Sequence, residues 1–304
     1  MNVIDPFEVN SSNMTSNVTE DDYGEWDAGT SYDADDRVII IGDVHKVYQC
    51  VSDSTTGSDK APSGTTASND FWVYVSATNL FKAFDQQTSD PVTRVTPITY
   101  SFTVNGFVSA LAFFRVSVAS AVNITITDTD ENVVYSETVS LVDTSHMTDW
   151  FKVFTEVPRS ARQKLIVGLP FAPGGQIDLE FVGPAGQEIG VGQIAFGKAE
   201  RIGTTLPGTA PGYRSFSRKD RDFSGNAITT PRPSKRSVRY VASVETQQVD
   251  NIIEYLSSLE AKGAVYFADS DVDFLGTTIY GLMGEFDIPE GINVSFMNAE
   301  VLSL

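Results

Sequence analysis

The sequence predicts a mainly β chain, and three observations predict it. Short segments with strict apolar/polar alternation recur along the chain. Clusters of Asp, Asn, Gly and Pro punctuate them. A single stretch, near residue 250, carries apolar residues at helical spacing. At 304 residues with 41% hydrophobic content, the chain is long enough for two or three units with cores of their own.

Residues 1–22 are polar, rich in Asn, Ser and Thr, and end on Glu20, Asp21 and Asp22. They read as an arm that orders against a neighbour. Residues 23–77 hold short apolar runs at Val38–Ile41, Val47–Val51 and Phe71–Val75 around a Ser/Thr/Gly/Pro loop at 52–70. That is a small antiparallel β module. Residues 78–200 carry the clearest alternation, at Ile98–Val104 and Ala121–Thr127, the second followed by the turn cluster Asp128–Asn132 and a return strand. Further strands are expected at 107–118, 150–154, 164–169, 177–182 and 189–196. Together they make a β-sandwich of jelly-roll type.

Residues 201–236 are rich in Gly, Pro, Arg and Lys and read as a long loop or clamp arm that connects two units. In residues 237–304, Ser237–Val244 reads as a strand. A helix follows over 247–262, with Val249, Ile252, Ile253, Leu256 and Leu259 on one face and Gly263 as its stop. Strands at 264–268, 278–287 and 292–302 complete a small α+β unit.

The net charge of −19 opposes binding to nucleic acid or an anionic membrane, because phosphates are repelled. The charge is uneven. Residues 1–60 hold thirteen acids against Arg37, Lys46 and Lys60. Residues 212–240 hold eight bases against Asp220 and Asp222. An acidic end and a basic stretch on one chain can pair between subunits, and Arg214, Arg218, Lys219, Arg221, Arg232, Lys235 and Arg236 are the candidate contacts. Cys50 is the one cysteine, so no intrachain disulfide forms. No charged n-region with an apolar h-region opens the sequence, and no run approaches a membrane span. The expectation is a chain made in a cytoplasm and carried outside by assembly.

No catalytic group, metal site or cofactor is expected. His45 and His146 have no helical His partner, no G-x-S-x-G occurs, and no P-loop follows the glycines of 167–175 or 183–192. Asp269, Asp271 and Asp273 open like a calcium loop, but Phe274 stands where glycine is needed and Tyr280 where glutamate is needed.

Two resemblances add to this reading. Trp26, Tyr32, Asp35-Asp36, Val38, Gly42, Tyr48, Cys50, Pro62 and Phe71-Trp72 fall in a pattern that resembles the chitin- and cellulose-binding modules of carbohydrate-binding families five and twelve. The fit departs at Asp35, where those families usually have Gly. The resemblance implies that Trp26, Tyr32 and Trp72, and after them Tyr48, offer ring faces to sugar. The module directly precedes residues 77–93, ATNLFKAFDQQTSDPVT, which resemble a segment that opens a galactose-binding-like jelly-roll in phage tail-tip and baseplate proteins. Residues 215–226, 264–270, 279–288 and 294–304 are similar in order to the end domains of distal-tail-like proteins. This second resemblance implies a structural virion protein at the tail tip. It would form a ring of copies of itself, touch tail tube, hub and fibres, and reach host-surface polysaccharide. A free lectin-like carbohydrate-binding protein and a glycan-degrading enzyme stay open as alternatives; ring assembly separates the first, polysaccharide turnover the second.

Overall fold

The computed structural model describes the chain except residues 54, 65–67, 158, 222, 270–274 and 290, and the side chains of residues 219 and 275. Strand accounts for 47% and helix for 9% of it, so the mainly β expectation holds.

The sandwich is built as the alternation requires. A five-stranded sheet runs in the order Val133–Ser140, Ala121–Thr127, Gln176–Val182, Ile98–Thr103, Met14–Ser16. Val122, Ile124 and Ile126 point inward beside Phe181, Leu179 and Ile177 of the neighbouring strand, which lie beside Ile98, Tyr100 and Phe102 in turn. Such rows of β-branched and aromatic cross-strand pairs stabilise a pleated face. Opposite them lie Leu111, Phe113, Ile166, Ile194 and Phe196 of a second sheet. Phe113 meets Phe181 edge-on at 5.1 Å, and the ring centroids of Phe102 and Phe196 are 4.7 Å apart. Each side chain of this size contributes about 1.5–3 kcal/mol on full burial.

That second sheet does not stop at the sandwich. It is one curled antiparallel sheet of ten strands, in the order Gln163–Val167, Ala110–Phe114, Gln193–Arg201, Asn2–Pro6, Ala264–Phe267, Ile279–Asp287, Val294–Ser303, Ser234–Glu245, Thr204–Thr205, with Ala210–Ser215 also on Ser234–Glu245. The N-terminal strand is the seam. Val3 pairs with Glu200 on one side and Tyr266 on the other, and Ile4 with Ala199 and Val265. The expected arm at 1–22 is therefore corrected: residues 2–6 are central and residues 14–16 pair in the smaller sheet. The reason is that this strand is covered on both faces. Val3 and Ile4 are both fully buried, so it has an adjacent apolar pair in place of alternation. The sandwich and the C-terminal unit consequently share a sheet and are not separate along the chain.

Helix Val249–Ser258 covers the C-terminal end of that sheet. Ile252, Leu256 and Leu259 pack on Tyr240, Ala242, Met297 and Val301, while Ile253 turns to solvent. The helix ends before Gly263, which serves close packing instead: a Cβ there would come 2.5 Å from the Tyr280 hydroxyl. The strand expected at 150–154 is a short helix, Trp150–Thr155, whose Asp149 carboxylate accepts from the Lys152 N–H at 2.9 Å. Its aromatic and β-branched residues read as strand, and the Asp cap overrides them. The segment expected as a loop arm is a β-hairpin. Ala210–Ser215 pairs with the start of Ser234–Glu245, and beyond them Arg218–Arg221 pairs with Ala227–Thr230.

Candidate functional site

In the N-terminal module, strands Arg37–Ile40, Lys46–Cys50 and Trp72–Ala77 form a three-stranded sheet over Tyr32, Val38, Tyr48, Cys50 and Trp72. Of the four candidate sugar-facing rings, Tyr48 and Trp72 are fully buried, Tyr32 is nearly so, and Trp26 is half-buried. The Trp72 indole N–H donates to the Lys60 carbonyl at 2.7 Å, and its edge meets Tyr32 at 5.3 Å. The Tyr32 hydroxyl accepts from the Asp27 N–H at 2.8 Å. The ring-face role is thus corrected for Tyr32, Tyr48 and Trp72. A module this small has few aliphatic side chains, so the aromatic rings are its core. Trp26 is the one candidate that keeps a face at the surface.

Sequence reasoning missed the rim. Tyr23 is exposed, with the Arg37 guanidinium 5.6 Å from its ring centroid and Nη1 donating to its hydroxyl at 2.9 Å. Arg37 Nε donates to Gln49 at 3.3 Å, and Gln49 Nε2 to Asp35 at 2.6 Å. With Asp36 these residues line an open depression of about 620 Å³. Tyr23 directly follows the acidic run Glu20–Asp22, and that adjacency was the available signal.

The module joins the body through polar groups. The Glu20 carboxylate meets His45 Nδ1 at 2.7 Å and accepts from the Thr78 hydroxyl, and the His45 ring packs 4.9 Å from Phe81. Asp85, directly after the F-K-A-F run of the tail-like segment, is half-buried and accepts from the Ala77 N–H and, at 2.8 Å, from the Gln87 N–H. Burial pushes its carboxyl up to about 7, with Asp90 adding to the rise and the Gln87 and Ala77 amides and Lys82 opposing it. Gln86 accepts from the Gly263 N–H at 3.3 Å, and the Thr88 hydroxyl donates to the Leu304 carbonyl at 2.9 Å. The segment thereby ties the module, the sandwich and the C-terminal strands together.

In the basic hairpin, every residue from Ala210 to Lys235 whose burial is described is exposed, apart from Ser217. Arg214 lies 6.0 Å from the Phe216 ring, and Arg218 pairs with Asp220 at 2.7 Å. Arg221, Arg232 and Lys235 stand in solvent. The Lys219 side chain is outside the described residues. Arg236 is the exception: half-buried, it donates to Gln163 at 3.0 Å and to the Gly276 carbonyl, and burial lowers its pKa. Its candidacy as an inter-subunit contact is corrected, because it fastens the hairpin's root to the sheet.

Among the described residues no group of three or more His, Cys, Asp or Glu is arranged to hold a metal ion. Asp269 accepts from Asn2 at 2.8 Å, from the Thr205 N–H at 2.7 Å and from the amine of Met1 at 2.9 Å. Burial opposes its ionisation, yet these donors hold the carboxyl below its ordinary range. Asp271, Asp273 and Phe274 of the calcium-loop pattern lie outside the described residues. Asp128 is the anchor of a hairpin turn; the Asn132 backbone N–H, then its amide and the Asp130 N–H, hold its carboxyl low. His146 sits 3.5 Å from Glu156. Among the described residues no helix is long and apolar enough to cross a membrane.

Comparison with protein-family models, with curated proteins and with solved structures finds no match.

Proposed function

We propose that this chain is a structural virion protein of a phage tail tip or baseplate, one that builds a ring with copies of itself beside the tail tube, hub and fibres. The observation that carries the reading is the hairpin of residues 210–235. Its outer part, Arg218–Arg221 with Ala227–Thr230, is a two-stranded sheet of its own, marginal alone in water, and its described residues are all exposed. The hairpin also presents Tyr213, Phe223 and Ile228 to solvent. A segment of this kind is completed by a partner. The order of the tail-like segments supports a tail as the place where that partner is met. Host polysaccharide enters the proposal only at the Trp26 rim of the module, since the other candidate rings supply the core.

Electron microscopy tests the reading on the purified chain and on the particle that carries it. Rings, or density at the distal end of a tail, are the expected result. A chain that stays monomeric and belongs to no particle sinks the proposal and favours a free lectin-like protein.

A further inference from the structure

We infer that the basic hairpin of one copy docks on the acidic face of the N-terminal module of the next copy. This rests on the assembly reading above and names the surface that the assembly uses. Residues 212–240 carry eight bases and two acids, a net +6 inside a chain of net −19, which leaves −25 on the rest. Among the described residues Arg214, Arg221, Arg232, Lys235 and Arg239 have no ion-pair partner on their own chain. The densest opposite charge lies at residues 20–36, with eight acids and no base. Asp21, Glu25, Asp27, Asp33, Asp35 and Asp36 are exposed there.

Among the described residues Arg214, Arg221, Arg232 and Lys235 make no ion pair with these carboxylates on their own chain, so the contact inferred is one between chains. The open depression of about 620 Å³ beside Tyr23, Asp35 and Asp36 presents the Asp35 and Asp36 carboxylates to an incoming guanidinium, while Arg37, on the same wall, already covers the Tyr23 ring. Hairpin and module are different patches, so the contact is heterologous. Each copy gives a hairpin and receives one, the head-to-tail arrangement that makes a ring when its rotation closes.

The experiment is sedimentation velocity on the full chain, at low salt and at 1 M NaCl. Two variants are compared with it: a hairpin variant, Arg221→Glu with Arg232→Glu and Lys235→Glu, and a module variant, Asp21→Lys with Glu25→Lys and Asp33→Lys. All six positions are exposed, and unchanged circular-dichroism melts check that both variants fold. The wild type should assemble, more weakly at high salt. Each variant alone should associate about tenfold or more weakly. Mixed in equal amounts they should pair, because the unaltered hairpin of the module variant then meets the unaltered module of the hairpin variant. A monomeric wild type, or a hairpin variant that assembles as the wild type does, overturns the assembly reading itself. A module variant that still assembles while the hairpin variant does not overturns this inference and leaves that reading standing. Two monomeric variants that fail to associate when mixed also overturn the pairing.

Discussion

The Trp72 indole N–H donates to the Lys60 backbone carbonyl at 2.7 Å, so the largest ring of the module closes the long loop onto the three-stranded sheet. Removing it opens a cavity and leaves that carbonyl without its donor. Trp72→Ala should cost about 3–5 kcal/mol and melt the module, read as a lost low-temperature transition in calorimetry. Trp26→Ala, at the half-exposed rim, should leave the melt nearly unchanged. Equal losses from the two variants would contradict the division into core and rim.

Asp85 carries a pH dependence whose sign follows from its raised pKa. The folded state holds the proton up to about 7, whereas the unfolded carboxyl releases it near the ordinary aspartate value of 3.8. The folded state thus binds more protons between these values. The stability from this group is full below the lower value and is lost as the pH rises through the higher one. Asp85→Asn keeps an acceptor for the Gln87 and Ala77 amides without the charge. It should raise the melting temperature at pH 8 and change it little at pH 4. A lower melting temperature at pH 8 would refute the assignment.

Ile4 is fully buried against Ala199 and Val265 at the seam of the large sheet. Ile4→Ala should cost about 2–5 kcal/mol. Because one strand serves both halves, amides of the sandwich and of the C-terminal strands should lose protection together in hydrogen exchange. Loss confined to one half would show that the seam does not couple them.

Arg236 and Arg232 separate structural from exposed charge within the hairpin. Arg236→Ala removes the donor to Gln163 and the Gly276 carbonyl and should cost about 1–3 kcal/mol. Arg232→Ala should stay within about 0.5 kcal/mol of wild type. Urea denaturation of the two variants decides it.

Much of the fold was legible where one face of a strand is wet. Val122, Ile124 and Ile126 alternate with polar neighbours, and the strand at Ala121–Thr127 follows directly. Ile252, Leu256 and Leu259 gave the C-terminal helix in the same way. Val3 and Ile4 gave no such signal, because a strand between two covered faces has no polar side to alternate with. The candidate site was less legible. Tyr32, Tyr48 and Trp72 have the same spacing whether they hold a core together or face a sugar, and burial alone tells the two apart. The charge of the basic segment was plain in the sequence. That Arg236 is tied to Gln163 was not, because the contact spans a turn of topology that spacing does not encode.

The central place of the first strand governs the timing of folding. Residues 2–6 leave the ribosome long before their neighbours Gln193–Arg201 and Ala264–Phe267. Contacts so distant in sequence close slowly. The half-built sheet meanwhile keeps open the edges that Asn2–Pro6 will occupy, and open edges recruit other strands. A well-formed sheet thus depends on residues 193–267 being synthesised before the nascent sheet meets a second chain.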